Sequence, residues 1–193
     1  MIEPQFTYTP NSNVMVGPNS SRPKDNKSLL KLYTTPEVAF EVQSENELLF
    51  LHALYALMDE NLGFIEANFC NRILNFFVVL EDHWDTLVEV IETGSLPKDL
   101  KIAENVKKEL DSALIPDPDR ARALRRIKQD HERSLIAKKG GDADGDGASH
   151  EPSFARRIWP NLHTILGSET GTFQIYGKEL RRQYIGQDRK SVV

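Results

Sequence analysis

The chain has 193 residues, 24 basic and 29 acidic, with a formal net charge of −5 and a sequence pI of about 5.6. This mild acidity argues against general nucleic-acid binding, which usually shows a basic domain or patch. The single cysteine, Cys70, excludes a disulfide framework and a thiolate metal cluster. No apolar run reaches the roughly 20 residues of a membrane span, and the first residues lack a signal-peptide pattern. We therefore expect a cytoplasmic protein without a membrane partner.

The N-terminal part of the chain is expected to be mostly irregular. Residues 1–27 show no sustained period, although residues 14–16 favour one short strand. Residues 28–137 are expected to form a helix-rich core with short strands. Two of these strands are predicted at residues 29–33 and 38–42, which are apolar, β-branched or aromatic enough for sheet.

The most apolar stretch, residues 44–80, is predicted to form the core as a helical hairpin. Ser44 and Glu47 have the spacing of a capping box, which indicates a helix start. Between residues 48 and 58 only His52 is polar. Because an amphipathic surface helix would show a polar face, this helix should be buried nearly all round.

The second half of that hairpin begins after a polar break. Phe64 and Ile65 are expected as a short apolar strand or turn, and Asn68 is predicted to cap a helix that includes Phe69. Cys70 lies inside this apolar stretch and is expected to act as a small buried hydrophobe rather than as a reactive thiol.

Three further helices are predicted before the next polar segment. The first contains Trp84 and ends at Gly94, and the second covers residues 98–114. The third is rich in arginine, and Asp117 or Asp119 can cap it. Its arginine run could bind nucleic acid, but acidic residues interrupt it and no aromatic residues interleave for base stacking. We expect a solvated face whose arginines pair with neighbouring acids.

Residues 138–153 are rich in Gly, Asp and Ser, which predicts a flexible linker. Asp142, Asp144 and Asp146 resemble the first half of an EF-hand loop, where alternate carboxylates surround Ca²⁺. Ser153 stands where the loop needs a bidentate Glu, so no metal site is expected.

The last segment, residues 154–186, is predicted to contain a helical turn, a strand at 162–166, a Gly/Thr loop and a helix from 173 to 184. Strand, loop and helix in this order is where α/β proteins place nucleotides and acyl groups. Such loops are also ordinary connections, so both interpretations stay open at this point. Residues 187–193 form a polar tail.

Five segments resemble, in order and spacing, the middle of the Gretchen Hagen-type auxin-responsive acyl acid amido synthetases, especially their non-plant relatives. Thr170, Gly171, Tyr176 and Leu180 match the family's Thr-Gly-Ala-Met element and the residues after it, whereas Thr172 and Phe173 replace Ala and Met. The segments are YTTPEVAFEV (33–42), LGFIEANF (62–69), IETGSL (91–96), IWPNL (158–162) and TGTFQIYGKEL (170–180).

The resemblance implies a helix-rich α/β fold, as part of the large N-terminal domain of a luciferase-like adenylate-forming enzyme. Its short strands would join a sheet completed outside this chain. Complete family members are acid–amino acid ligases, which use ATP and Mg²⁺ to form an acyl-adenylate from a small carboxylic acid and pass the acyl group to an amino acid. No residue is assigned a catalytic or metal-binding role. The substrate-binding residues implied by the resemblance are Asn68, Phe69, Thr170, Gly171, Thr172 and Phe173.

The sequence departs from the family pattern at both ends. The phosphate loop is not found upstream, since Asn19, Ser20 and Ser21 lack its glycines and trailing lysine. The chain diverges at Gln187, before the element that supplies the Mg²⁺-linked glutamate. We therefore expect a fragment, from a truncated gene product, that is inactive alone and binds neither ATP nor Mg²⁺ well. The alternative is a non-catalytic helical module that self-associates through exposed apolar helices.

Overall fold

The computed structural model describes residues 7–8, 15–16, 30–140 and 152–186, with side chains for 30–136 and 152–186. Strands β1 (Thr7–Tyr8) and β2 (Met15–Val16) pair antiparallel. The short strand predicted at residues 14–16 is confirmed as β2, and most of the predicted irregular segment lies outside the described residues.

The first long helix, α1 (Glu45–Met58), forms the centre of the core. It has no polar face, and its buried residues lie on all sides of its axis, as predicted. Ser44 does precede the helix, but its hydroxyl donates to the Glu47 carboxylate instead of accepting a backbone amide. The buried residues of α1 are Leu48, Phe50, Leu51, Ala53, Leu54, Ala56 and Leu57.

The remaining elements confirm a helix-rich α/β fold. Short 3-10 turns cover Glu37–Glu41 and Gly171–Phe173, and a π-helical turn covers Arg181–Ile185. No helix in the described ranges is both long and apolar enough to cross a membrane. In chain order the elements after α1 are β3 (Phe64–Phe69), α2 (Cys70–Asp82), α3 (Trp84–Thr93), α4 (Glu104–Ala113), α5 (Pro118–Gly140), α6 (Phe154–Ile158), β4 (Thr164–Ser168) and α7 (Gln174–Leu180).

Strands β3 and β4 form a two-stranded parallel sheet. Ile65 lies opposite Ile165, and both pack against the core. An irregularity after Glu66 brings Phe69 opposite Ser168. The predicted strand at 162–166 is therefore present but shifted by two residues, and the strand predicted at Phe64 is longer than expected.

The sheet explains why the predicted cap at Asn68 is wrong. Pairing with β4 keeps the chain extended through Phe69, which has φ −135° and ψ 144° and precedes the first helical residue, Cys70. Asn68 therefore lies within β3, and Phe69 belongs to the strand rather than to the helix. The local capping signal is overridden by a strand partner about 100 residues away.

The strands predicted at residues 29–33 and 38–42 are also wrong. Leu30 is helical, residues 31–35 form turns and bends, and a 3-10 turn starts after Pro36. Pro36 has φ −66°, which suits the start of a helical turn. The turn buries Ala39 and Phe40 on the core, so burial overrides the strand propensity of this segment.

The other predicted helices are present with changed bounds. Helix α3 ends at Gly94, whose φ of 69° is left-handed and whose amide donates to the Val90 carbonyl at 2.8 Å, as expected for a glycine cap. Helix α4 is shorter than the predicted 98–114. Helix α5 includes the first three residues of the predicted linker. Residues 141–151, with the EF-hand-like aspartates, lie outside the described residues, so the predicted linker stays a prediction.

The arginine-rich face of α5 pairs with acids on α3. The guanidinium of Arg125 donates to both oxygens of Glu92 at 3.0 and 2.5 Å, and Lys128 lies 3.2 Å from Asp85. The hydrogen bonds from Arg125 lower the pKa of Glu92. These exposed pairs fit the expectation of a solvated helix face.

The segment after the linker returns along the core hairpin. Trp159 is fully buried, and its indole Nε1 donates to the Ala56 carbonyl of α1 at 2.8 Å. Tyr184 stacks on Phe77 of α2 with ring centroids 4.9 Å apart and donates to Glu81 at 2.6 Å. Burial, and then Glu81, raise the pKa of Tyr184. Helix α1 thus receives its last cover from residues about 100 positions later.

A buried arginine ties two helix ends together. Arg120, at the start of α5, is 5% exposed, and its Nε donates to the Leu57 carbonyl of α1 at 2.7 Å. Its Nη2 lies 3.5 Å from the Ile158 carbonyl of α6, and its Nη1 lies 3.6 Å from the mostly exposed Glu60 carboxylate. Burial lowers the pKa of Arg120, and Glu60 opposes that shift.

Replacing this side chain tests its role. Arg120→Met should lower the free energy of unfolding by about 2–3 kcal/mol, because it leaves buried helix-end carbonyls without a donor. Denaturant unfolding measures the change. Arg122→Met is the matched control, since Arg122 is 58% exposed and pairs with Asp119, which is 88% exposed. Equal losses in the two variants would contradict the role given to Arg120.

The one polar residue inside the apolar run of α1, His52, is held neutral. Its Nδ1 lies 2.8 Å from the Thr35 hydroxyl, and its ring packs edge-on to Phe40. Thr35 is itself buried. Burial lowers the pKa of His52 from 6.5 to about 4. The folded chain therefore carries an uncharged imidazole where the unfolded chain takes up a proton.

This shift predicts acid sensitivity. Because the unfolded state binds a proton at His52 near pH 6.5 and the folded state only near pH 4, the free energy of unfolding should fall as pH drops through that window. The loss should be at most about 3 kcal/mol. Unfolding measured from pH 7 to pH 4 should show a weaker dependence in His52→Phe than in the control His163→Gln, which removes an exposed histidine. Identical profiles for both variants would contradict the prediction.

Candidate functional site

The candidate site lies at the carboxyl ends of β3 and β4. Both strands point the same way, so Phe69 and Ser168 end them side by side. The loop after β4 then enters the 3-10 turn Gly171–Phe173. In parallel α/β sheets, ligands bind in the crevice outside the carboxyl ends of the strands. All six residues implied by the family resemblance lie at or next to this edge.

Two of these residues, from segments over 100 positions apart, are in direct contact. The rings of Phe69 and Phe173 stack with centroids 4.6 Å apart and an angle of 18° between their planes. Phe69 remains 42% exposed, and the ring centroids of Phe173 and of Tyr176 in α7 lie 6.3 Å apart. The three rings form a partly open aromatic surface, which we call the aromatic wall.

Cys70 is hydrogen-bonded to the last residue of the Gly171–Phe173 turn. Its Sγ donates to the Phe173 carbonyl at 3.1 Å, and the residue is 3% exposed. Burial, and then the Glu169 carboxylate, raise the pKa of the Cys70 thiol. Cys70 is therefore a buried, protonated packing residue, as predicted, and it attaches the turn to the start of α2.

The turn itself presents polar groups to solvent. Thr170, Gly171 and Thr172 are exposed, and the Thr170 hydroxyl lies 3.4 Å from the Ser168 hydroxyl. Gly171 has φ +60°, a left-handed conformation that L side chains rarely adopt, and no atom lies within 4 Å of the position a Cβ would take. Glycine is needed there for the backbone conformation rather than for space.

The position of Asn68 differs from that of the other implied residues. It lies in the irregular part of β3, before Phe69, and is exposed. The sequence placed it at a helix start, whereas the structure places it on a strand at the rim of the crevice.

One feature of this edge was not predicted. Arg181, after α7, forms a two-point ion pair with Glu169, which precedes the predicted Thr170. Glu169 also lies directly against Gly177 of α7. No local pattern in the sequence indicates this pair, because the two residues are 12 positions apart in different elements. The only available signal is Gly177, an unusual residue inside a short helix.

Part of the sheet has no cover in the described residues. Phe64 and Leu166 point to the outer face and are 43% and 49% exposed. The Tyr33 hydroxyl donates to Glu66 on this face at 2.9 Å. Most apolar side chains of α1 are buried, so α1 does not supply the exposed apolar helix that the interaction-module alternative assumed.

A cavity of about 320 Å³ lies at the opposite end of the sheet. It is lined by Asn61, which precedes β3, and by Asn161, which precedes β4, together with Arg120 and Arg157. Its position at the amino ends of the strands does not favour a ligand crevice of the α/β type. The described residues contain no group of three or more His, Cys, Asp or Glu side chains that could hold a metal ion.

The fold is that of the N-terminal part of a helix-rich adenylate-forming enzyme. Residues 3–139 match the family model described as the GH3 family N-terminal domain, so the chain belongs to the GH3 family. This confirms the resemblance to the acyl acid amido synthetases. No curated protein matches the sequence at the threshold applied.

Solved structures support the same fold. The GH3.15 acyl acid amido synthetase matches with a TM-score of 0.62 and 22% identity, over 91% of this chain and 28% of that chain. A structure described as AtGH3.15 acyl acid amido synthetase in complex with 2,4-DB matches with a TM-score of 0.51 and 20% identity, over 72% of this chain and 21% of that chain. This chain therefore spans less than a third of the solved proteins it matches.

The contact between the two halves of the site is open to measurement. In a double-mutant cycle, Phe69→Ala and Phe173→Ala should show a coupling of about 0.5–1.5 kcal/mol in the free energy of unfolding, as stacked rings do. Phe64→Ala with Phe173→Ala is the control cycle, because Phe64 has comparable exposure and its ring makes no contact with Phe173 among those described. A coupling no larger than that of the control would contradict the stacked arrangement.

Proposed function

We propose that this chain forms part of the acyl-binding region of an ATP-dependent acid–amino acid ligase. In the complete protein, a small carboxylic acid attacks the α-phosphate of ATP, forming an acyl-adenylate and releasing pyrophosphate. The amine of an amino acid then attacks the acyl carbon, forming an amide and releasing AMP. The observation that carries the proposal is that the residues implied by the family converge at the carboxyl ends of two parallel strands.

The aromatic wall suits the acyl part of the substrate. Phe69 and Phe173 offer apolar ring surface that is already ordered by their mutual contact, so binding an apolar group would cost little side-chain entropy. Thr170 and Gly171 follow the strand end and suit the carboxylate, through a hydroxyl and exposed backbone amides. Asn68 and Thr172 are assigned to the rim.

ATP and Mg²⁺ are assigned to the complete protein rather than to this chain. Magnesium is bound through carboxylates and phosphate oxygens, and none of the six residues that the family resemblance implies is a carboxylate. No step of the reaction is therefore attributed to a residue of this chain, and the chain alone is proposed to be inactive. The lone buried cysteine and the membrane finding are compatible with a cytoplasmic enzyme.

A second candidate is a non-catalytic module that binds a partner, including a second copy, through the uncovered sheet face. Exposed Phe64 and Leu166 favour it, because parallel sheets are normally covered on both faces. The same face also suits further strands and helices of a longer protein. A sedimentation coefficient that rises with protein concentration would favour the module, provided that Leu166→Glu abolishes this rise.

Binding of an acid tests the main proposal. Titrating 2,4-DB into the 193-residue chain should shift amide resonances at residues 68–70 and 170–176. Thr170→Val should weaken binding about 10- to 100-fold, by removing one hydrogen bond to a charged group. Thr93→Val, at the end of α3, is the matched control. Shifts confined to the cavity at Asn61 and Asn161 would contradict the assigned site.

The same preparation tests where the nucleotide chemistry resides. The chain alone should not catalyse acid-dependent exchange of labelled pyrophosphate into ATP. Exchange above a no-acid control would contradict the assignment of ATP and Mg²⁺ to the rest of the protein.

A further inference from the structure

We propose that the Glu169–Arg181 ion pair is a positioning element that holds the Thr170–Phe173 turn over the carboxyl ends of β3 and β4. The inference rests on the proposed function, because it assigns to this pair control over the affinity of the site for a carboxylate. The proposal adds Glu169, Arg181 and Gly177 to a site whose other residues are implied by the family motif.

The geometry of the pair spans the turn. Arg181 donates through Nη1 to Glu169 Oε2 at 2.8 Å and through Nη2 to Oε1 at 3.2 Å. Glu169 directly follows the last residue of β4, and Arg181 directly follows α7. The pair therefore joins the residue before the turn to the helix after it. Both side chains are about two-thirds buried, so the pair is less screened than a surface bridge.

Gly177 is the residue that allows this arrangement. A Cβ at position 177 would overlap Glu169 Oε2 and would lie 3.2 Å from Glu169 Cβ. Real Cβ atoms do not approach other atoms so closely, so any other residue at 177 would displace the Glu169 carboxylate. Gly177 is buried beneath this side chain, and its cost to helix propensity is offset by the position it gives to Glu169.

The far end of the turn is attached independently. Phe173 stacks on Phe69, and its carbonyl accepts from the Cys70 thiol at 3.1 Å. The turn is thus fixed at Glu169 and at Phe173, while Thr170, Gly171 and Thr172 between them remain exposed. This arrangement orders the residues proposed to bind a carboxylate and leaves their polar groups free.

The charges of the pair also matter for an anionic ligand. An unpaired Glu169 carboxylate beside Thr170 would repel a substrate carboxylate, and Arg181 cancels that charge. Positioning and electrostatics therefore predict different effects of substitution. Gly177→Ala keeps both charges but displaces Glu169, whereas Glu169→Gln keeps the space but leaves Arg181 positive.

Amide hydrogen exchange of the 193-residue chain without ligand tests positioning directly. Exchange at Phe173 and Gln174, whose amides donate to the Thr170 and Gly171 carbonyls, should quicken about 3- to 10-fold in Gly177→Ala, because the turn opens locally more often. Adding Glu169→Gln should quicken exchange less in Gly177→Ala than in the unmodified chain, since Gly177→Ala has already displaced the carboxylate. Glu179→Gln is the matched control, because Glu179 pairs with Arg182 in an exposed bridge close by. Unchanged exchange in Gly177→Ala would overturn the proposal.

Acid affinity then connects the pair to function. Titration with 2,4-DB should show about 3- to 10-fold weaker binding in both Gly177→Ala and Arg181→Met. The denaturant midpoint of Gly177→Ala should stay unchanged, because the higher helix propensity of alanine offsets the displacement of Glu169. If Glu169→Gln instead tightens binding while exchange at the turn stays as in the unmodified chain, the pair acts only through charge, and positioning is overturned. If no variant and no unmodified chain binds acid, the proposed function fails, while the exchange result still decides the positioning claim.

Discussion

The whole structure depends on a helix without a polar face. Helix α1 buries apolar side chains in every direction, so it needs cover on all sides. Helices α2 and α3 provide part of that cover, and they are near in sequence. Further cover comes from the segment that follows α6, where the Trp159 indole both fills space and satisfies the Ala56 carbonyl. Covering α1 therefore requires the chain to return along its own path.

The later segment contacts the earlier one at a nearly constant separation in sequence, and this constant separation brings the residues of the site together. Phe64 lies opposite Thr164, Ala56 binds Trp159, and Glu81 binds Tyr184, at separations of 100 to 103 residues. Two strand–helix units, β3 with α2 and β4 with α7, thus run side by side in the same direction. Parallel strands end at the same edge, so the residues that follow them meet there. The aromatic wall is a consequence of this register.

The sequence predicted the features that depend on neighbouring residues. The all-round burial of α1, the glycine cap of α3 and the solvated, charged face of α5 each follow from a pattern within a few turns of helix. The errors occur where distant residues decide the outcome: Asn68 is in a strand because β4 pairs with it, and Phe40 is in a 3-10 turn because the core needs its ring. The implied binding residues were placed by a family motif, and the contact between Phe69 and Phe173 confirms only that they are neighbours. The Glu169–Arg181 pair was missed because an ion pair between two elements produces no periodic pattern in the sequence.

The 103-residue separation between Ala56 and Trp159 has a consequence for the chain while it is being made. At about 5–20 residues per second, a ribosome takes roughly 5–20 s to synthesise the residues between them. In the later part of that interval α1 has left the exit tunnel with one side uncovered, and β3 has no partner strand. The nascent chain therefore exposes an apolar helix face and an unpaired strand edge at the same time. Chaperones recognise surfaces of both kinds. Folding of this domain on the ribosome should be limited by the arrival of Trp159 rather than by the formation of the helices.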